Sequence, residues 1–221
     1  SPRKFVSLRN CVNCTGDGLI NGKNSKFCFN GQRLENDRWV ENADSPTDSY
    51  DLSTGGESSY CYEGITTDNS YRTRFGIFTW KSSETDYVDG CHSSKYLFGC
   101  CGLKKAEYCI LNKQYTKDEY EKLRVKIIED MNAQPYVDKK GNEYKYGEFF
   151  PTDLSYFKYN ESVAQDYFPL SKDEIKKQGW QWQDHLQMTT GKETMKPEAI
   201  PDGISDVPDT IMDEILTCVS C

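Results

Sequence analysis

Short β-prone runs recur through the first half of the chain, and each begins with a polar residue followed by an aromatic one. The aromatic residues of these runs are Phe27, Trp39, Tyr50, Tyr60, Tyr71, Tyr87, Tyr96 and Tyr108. The successive steps in sequence number between them are 12, 11, 10, 11, 16, 9 and 12. Runs this short do not form a stable sheet alone, and the Asn-Gly, Gly-Gly and Asp-Gly pairs between them are typical of turns. The pattern therefore predicts a repeat protein whose short strands stack along an axis.

The predicted fold class is mainly β, a short-strand β-solenoid over residues 1–112. We expect two runs to make one turn of about 21 residues, so that like residues stack in ladders of Tyr, Cys and Asn. A β-sandwich would need longer alternating strands and more Val and Ile than this half contains. Cys28, Cys61 and Cys109 directly follow a repeat aromatic, where a small apolar side chain suits a tight interior. These three cysteines are therefore predicted to be packing residues.

The second half of the chain is predicted to be a smaller α+β annex with helices. Thr116 and Glu119 form a capping box for a helix over residues 113–133. Its apolar positions share one helical face, and they are Tyr120, Leu123, Ile127, Ile128 and Met131. A turn at residues 139–142 predicts a hairpin through Tyr136 and Tyr144.

Local signals near the C-terminus complete the predicted domain organisation. Ser171 and Glu174 cap a short helix that Gly179 closes, and a final helix is expected over 206–217 with Pro208 in its first turn. The predicted divisions are the solenoid at 1–112, a capping annex at 113–186, a linker at 187–205, and a terminal helix with half a zinc knuckle at 206–221.

Charge and hydropathy restrict the classes of partner. The net charge is −8, which argues against a nucleic-acid backbone as ligand. Residues 1–112 carry 13 basic and 14 acidic side chains, and residues 113–221 carry 14 and 21, so the annex holds most of the negative charge. No run of apolar residues is long enough to predict a membrane span. Because the chain begins with Ser1, we expect a fragment or processed product of a larger protein.

The ten cysteines include two Cys-x-x-Cys pairs, a spacing that suits metal or redox chemistry and favours a reducing, cytoplasmic compartment. Cys218 and Cys221 are the candidate metal ligands and would supply half of a tetrahedral zinc site. The incomplete half-site could stay empty, or Cys11 and Cys14 could complete it. A thioredoxin-like role for Cys11 would require a helix after it, and the glycines at 16 and 18 argue for packing instead.

One acidic cluster, Glu84, Asp86 and Asp89 with His92, lies near a repeat turn. Glycoside-cleaving enzymes use paired carboxylates as acid and base, but charged residues are also usual in a solvated turn. The histidines, at 92 and 185, lie in no Ser or Cys motif that would predict a catalytic triad. No glycine-rich phosphate loop occurs.

Seven segments of the sequence carry a resemblance to known proteins, and they are residues 1–5, 10–17, 96–100, 108–117, 147–151, 159–170 and 206–211. These segments resemble an uncharacterised bacterial family whose members are recorded as hypothetical or zinc-ribbon-containing proteins. Cys- and Asn-rich repeats lie in the middle of these proteins, between zinc-ribbon cysteine pairs. The resemblance implies that Cys218 and Cys221 are the first ligand pair of a C-terminal ribbon, and it implies no reaction.

The sequence contains no complete catalytic constellation, so we expect a non-enzymatic scaffold or interaction module. Exposed aromatic residues such as Trp39 or Trp80 would anchor a protein or glycan partner on a solenoid face. The alternative is a carbohydrate-active β-solenoid enzyme that uses carboxylates near Asp86 and Asp89. Convergence of these carboxylates in one groove would favour the enzyme, and their separation onto different faces would disfavour it.

Overall fold

The chain divides into two compact units, Ser1–Ser155 and Tyr156–Cys221. The computed structural model describes residues 5–184 and 191–217. Within these ranges no helix has both the length and the apolar character that a membrane crossing requires.

The first unit is built on a parallel β-solenoid of about nine turns, which confirms the predicted fold class. Neighbouring turns pair in parallel with partners 12 positions apart, as Val40 pairs with Leu52 and Leu52 with Gly64. The first turn is one residue shorter, since Leu8 pairs with Leu19. The parallel strands are β1 (Leu8–Arg9), β2 (Gly16–Asp17), β3 (Leu19–Ile20), β4 (Cys28–Phe29), β5 (Arg38–Asp44), β6 (Tyr50–Gly56), β7 (Tyr62–Asp68), β8 (Tyr71–Trp80), β9 (Ser83–Asp89), β10 (Lys95–Phe98) and β11 (Glu107–Ile110).

The predicted turn, with two aromatic runs in each, is too long, because the strand register advances by 12 positions per turn. One aromatic run therefore corresponds to one turn rather than to half of one. Trp39 stacks on Phe27 with ring centroids 5.5 Å apart, and Tyr108 stacks on Tyr96 at 4.8 Å. The aromatic ladders are thus built from residues in equivalent positions of successive turns.

Each turn consists of four sides of three residues. In every third position the side chain points inward and is buried, as at Leu34, Asp37 and Val40. The residue before each of these has a positive φ, between 52° and 61°. Left-handed backbone is unfavourable for most L-residues and is tolerated best by Gly, Asn and Asp. This requirement explains the asparagines of the N-terminal turns, at positions 10, 13, 21, 24, 30, 36 and 42.

In a three-residue side, two of the three backbone N–H groups donate hydrogen bonds to backbone carbonyl oxygens of neighbouring turns. In the side 38–40, the Arg38 N–H donates to Ser49 O of the following turn, at 3.1 Å. The Trp39 N–H donates to Lys26 O of the preceding turn, also at 3.1 Å. These two opposed bonds recur along the solenoid and hold each turn between its neighbours.

On the side of the solenoid that holds Ser25, Asp37 and Ser49, the amide of the inward residue is satisfied by a side chain from the preceding turn. Asp37 N–H donates to Ser25 Oγ at 3.2 Å, Ser49 N–H to Asp37 Oδ1 at 2.9 Å, and Cys61 N–H to Ser49 Oγ at 3.1 Å. A buried amide without a partner would be unfavourable. The interior therefore needs Ser and Asp acceptors, which accounts for the low apolar content of the chain.

The serine ladder predicts a specific stability loss on Ser82→Ala. Ser82 Oγ accepts from Ser94 N–H at 3.2 Å and donates to Trp80 O at 3.1 Å, and both serines are buried. We expect a loss of about 1–3 kcal/mol in the free energy of unfolding, because the Ser94 amide is left without an acceptor. Urea denaturation of the whole chain measures it. Ser83→Ala, on the adjacent surface position, should change stability by less than about 0.5 kcal/mol, and equal losses in the two variants would contradict the ladder.

The remainder of the first unit continues from the last turn. Strand β12 (Lys113–Gln114) pairs antiparallel with β11. Helix α1 (Lys117–Ala133) follows with the predicted capping box of Thr116 and Glu119. It starts after residue 113 because β12 occupies the first predicted positions. Its predicted apolar face packs on Phe98 and Ile110 of the solenoid. The predicted hairpin is confirmed as β13 (Tyr136–Val137) and β14 (Glu143–Tyr144), and a 3₁₀ helix spans Thr152–Leu154.

The second unit contains short helices. Helix α2 spans Ala164–Tyr167, and α3 spans Lys172–Lys177 with the predicted Ser171–Glu174 capping box. The region of the predicted terminal helix instead forms short 3₁₀ helices, and its last residues pair with another segment, since Leu216 bridges Met195 and the Thr217 N–H donates to Met195 O at 2.9 Å. The described 3₁₀ helices of this unit are Tyr159–Glu161, Pro197–Ala199, Ile204–Asp206 and Asp209–Asp213.

Candidate functional site: grooves along the solenoid

The predicted zinc ligands Cys218 and Cys221 lie outside the described residues, so the zinc half-site stays a prediction. Cys11 and Cys14 occupy consecutive inward positions, and a Cβ placed on Gly22 would lie 3.5 and 3.1 Å from their sulfur atoms. Their Cys-x-x-Cys spacing is therefore the inward period of the solenoid. Within residues 5–184 and 191–217, no group of three or more potential ligands could hold a metal ion.

Several cysteines are buried in the solenoid interior, and burial disfavours their thiolate form. Cys28, Cys61 and Cys109 are buried, as predicted for packing residues. Burial raises the pKa of Cys28, Cys61 and Cys91 to about 11. The Cys100 thiol donates to Cys109 O at 3.4 Å, as the hydroxyls of the serine ladder do. Because thiolates are the nucleophiles and metal ligands, these cysteines are placed for packing rather than for chemistry.

The carboxylates of the predicted acidic cluster do not converge. Asp86 is 0% exposed, and its Oδ2 accepts from Arg124 Nη2 at 2.7 Å while its Oδ1 accepts from Arg74 Nε and from Tyr146 Oη. Asp89 lies one three-residue side further along the turn, so it belongs to a different face of the solenoid. Asp86 is thus a structural residue that connects α1 to the solenoid.

The other members of that cluster are also engaged elsewhere. Glu84 forms an ion pair with Arg72 at 3.1 Å. His92 packs against Trp80 of the preceding turn, with ring centroids 4.4 Å apart. No groove brings a proton donor and a carboxylate of this cluster together among the residues the structure describes.

One lateral groove, which we call the aromatic groove, has a volume of about 510 Å³. Trp39 stands at its edge with 51% of its surface exposed, supported by the stacked Phe27 ring. Phe149, from the segment after β14, closes another edge. The lining residues are Trp39, Glu41, Asp51, Leu52, Ser53, Glu63, Gly64, Ile65 and Phe149.

A second lateral groove, which we call the polar groove, follows a different side over several turns. It consists of two adjoining cavities of about 450 and 360 Å³ that share Asn42, Asp44 and Gly55. Trp80 lines one end and Ile20 the other. The remaining lining residues are Gly18, Asn30, Gly31, Gln32, Ala43, Thr54, Gly56, Glu57, Thr66, Asp68 and Asn69.

Small residues create the polar groove. The inward positions of this side in three successive turns are Gly31, Ala43 and Gly55. Because these residues have small side chains or none, the backbone of this side can lie closer to the axis of the solenoid. A Cβ at Gly55 would lie 2.2 Å from Thr67 O, which leaves no room for a side chain. On the surface, Gly56 leaves a notch between Asp44 and Asp68, its pairing neighbours in the two adjacent turns.

Trp39 of the aromatic groove and Trp80 of the polar groove are predicted from the sequence as anchors, whereas the other residues that line the polar groove are not. Gly55 and Gly56 were interpreted as a turn, although they lie at the end of β6. The signal that would have found the groove is the recurrence of Asn30, Asn42 and Thr54 at one step per turn. This recurrence can be recognised in the sequence only once the length of a turn is known.

The fold and its grooves define the class of protein as a β-solenoid. No protein-family model matches the chain, and no curated protein matches it. Among solved structures, a crystal structure of a candidate acetyltransferase from Bacillus cereus aligns over 58% of this chain and 92% of that protein, with 8% identity and a TM-score of 0.16. A similarity this low carries no argument about fold or function.

Proposed function

We propose that the chain is a non-enzymatic interaction module that binds a protein or glycan partner through the sides of its solenoid. The observation that supports this most is the presence of two lateral grooves with accessible tryptophans, Trp39 and Trp80, on a scaffold hydrogen-bonded turn to turn. Partly exposed aromatic rings held in place provide contact area with little loss of side-chain entropy on binding.

The catalytic alternative has weaker support. A glycosidase needs two carboxylates within reach of one bond, whereas Asp86 is buried between two arginines and Asp89 lies on another side. A carboxylate that accepts from two guanidinium groups is neither a free base nor a proton donor. The proposal therefore assigns the surface of the solenoid to binding and the Asp86 cluster to stability.

A paired assay of binding and hydrolysis tests this function. The full chain is applied to arrays of glycans and of peptides, and is incubated separately with neutral and acidic polysaccharides while reducing ends are counted. We expect retention on at least one array that falls at least tenfold in the double variant Trp39→Ala/Trp80→Ala, as for central aromatic contacts. We expect no reducing ends above the blank. Release of reducing ends that disappears in Asp89→Asn would show that the enzyme alternative is right.

A further inference from the structure

We propose that the polar groove binds a linear β-1,4-linked glycan that carries no acidic groups, with one sugar residue facing each turn of the solenoid. This inference rests on the proposed binding function and names the ligand class for one of its two grooves.

The repeat of the groove matches the repeat of an extended sugar chain. Asn42, Thr54 and Thr66 follow one another at one step per turn, so each occupies the same position in a successive turn. Parallel strands are spaced by about 4.8 Å, close to the length of one pyranose unit in an extended β-1,4 chain. Successive sugars would therefore meet an equivalent set of polar groups at each turn.

The groove offers the hydrogen-bonding groups that sugar hydroxyls require. Amides of Asn42 and Asn69, hydroxyls of Thr54 and Thr66, and the Asp68 carboxylate all line it. Amide and hydroxyl groups can both donate and accept, and carboxylate oxygens accept. A polyhydroxylated ligand can satisfy this mixture, whereas an apolar ligand would leave these groups unpaired.

Trp80 provides the aromatic surface that stacks on the apolar face of a pyranose ring. Its ring packs against His92 and lies 6.2 Å from the Phe78 ring, so neighbouring rings support its orientation. A ring fixed before binding loses little freedom when the ligand arrives. The combination of one aromatic wall and convergent polar groups is the usual composition of a small-molecule site.

The charge of the groove selects against acidic polymers. Three carboxylates, those of Asp44, Glu57 and Asp68, line it. Arg33 forms an ion pair with Asp44, and Lys81 directly follows Trp80 in the chain. The three carboxylates exceed these two cations by one, and it is the carboxylates that line the groove. Uronic or sulfated chains would be repelled there, whereas neutral or amino-sugar chains would not.

A peptide is a poorer fit for the polar groove than for the aromatic groove. Peptides that extend a sheet need free backbone groups at its edge, but here Asp44, Gly56 and Asp68 already pair turn to turn. Apart from Ile20, Ala43 and Trp80, the polar groove is lined by glycines and polar residues. The aromatic groove, with Leu52, Ile65 and Phe149, is the better surface for a protein.

Calorimetric titration of the full chain with cellohexaose, with a glucosamine hexamer and with an oligogalacturonate tests the proposal, and hexalysine serves as a cationic control without sugar. We expect cellohexaose or the glucosamine hexamer to bind and the oligogalacturonate not to bind. Trp80→Ala should weaken that binding at least tenfold, and Tyr60→Ala, at an exposed aromatic residue that lines neither groove, should leave it unchanged. Circular dichroism of each variant checks that the solenoid is intact.

A second variant blocks the groove without removing the tryptophan. A Cβ at Gly56 would lie 2.7 Å from Asp68 Oδ1, which belongs to a side chain that can move. Gly56→Gln should therefore fold, fill the notch and reduce glycan affinity at least tenfold. The proposal is overturned if neither the uncharged nor the amino-sugar hexamer binds, or if binding is insensitive to both variants. It also fails if hexalysine alone binds in a Trp80-dependent way. Binding to the glycan array that depends only on Trp39 would overturn it too, while leaving the interaction module standing.

Discussion

Asp86→Ala should destabilise the first unit by about 3–5 kcal/mol, because it removes a buried carboxylate that is the common acceptor of two partly buried guanidinium groups. Arg124 of α1 and Arg74 of β8 both donate to this carboxylate, which is 1% exposed at the side chain. Without it, two cations face each other in a partly buried space. Tyr146 Oη, which donates to Asp86 Oδ1 at 3.3 Å, loses its acceptor as well.

The loss should be concentrated where α1 meets the solenoid. Hydrogen exchange of the amides in Lys117–Ala133 should accelerate by roughly a hundredfold or more, as a loss of this size implies. The expected total loss is measured by urea denaturation. Glu84→Ala is the matched control in the same strand, since its pair with Arg72 is exposed and should contribute less than about 1 kcal/mol. Similar losses in the two variants would show that Asp86 does not connect the helix to the solenoid.

The contribution of Asp37 to the stability of the chain should fall as pH rises from about 4 to 7. Burial raises the pKa of this carboxyl to about 7, although hydrogen bonds from the amides of Ser49 and Glu35 oppose the shift. In the unfolded chain an aspartic acid has a pKa of about 3.9. The folded state therefore keeps a proton that the unfolded state has lost, and unfolding becomes easier as pH rises.

The pH range and the size of this effect on stability follow from the two pKa values of Asp37. Below about pH 4 the carboxyl is protonated in both states, and above about pH 7 it is ionised in both, so the slope is confined between these values. A difference of about three pKa units corresponds to roughly 4 kcal/mol in the free energy of unfolding. Asp37→Asn removes the titration and keeps an oxygen for the Ser49 amide, which now donates to Asp37 Oδ1 at 2.9 Å.

Urea midpoints of wild type and Asp37→Asn, measured at several values from pH 4 to 8, decide this prediction. The difference between the two proteins should shift in favour of the variant as pH rises. The variant also loses the hydrogen bond that the Glu35 N–H donates to Asp37 Oδ2 at 2.9 Å, because the Asn NH2 group cannot accept, and this loss is independent of pH. Asp51→Asn, at an exposed position, should follow the wild-type curve. A constant difference between wild type and Asp37→Asn across this range would be incompatible with a buried titrating carboxyl.

Local signals made much of the fold predictable. The capping boxes at Thr116 and Ser171 and the hairpin of Tyr136 and Tyr144 depend on residues a few positions apart, and each is found where it was predicted. The burial of Cys28 likewise followed from its place in the repeat. These features can be predicted without knowing how the rest of the chain folds, because the residues that interact in them are close in sequence.

Less of the candidate site than of the fold could be predicted from the sequence. Trp39 and Trp80 could be selected as exposed aromatic anchors, but Gly56 could not be recognised as a notch. Its importance depends on Asp44 and Asp68, which become its neighbours only when the register advances by 12 positions per turn. The same dependence explains why Asp86 was grouped with Asp89, its neighbour in sequence, rather than with Arg124.

The sequence by itself determined that the chain builds a solenoid of short strands, because the polar-aromatic-β unit recurs too regularly and too briefly for other β architectures. It also predicted a tight interior in which Cys28 and Cys61 are packing residues, and both are buried. The tertiary structure alone decided the length of a turn, the sides on which the carboxylates lie and the position of the grooves. These depend on which residues stack across turns and on how α1 packs against them, and both are set by contacts between residues far apart in the chain.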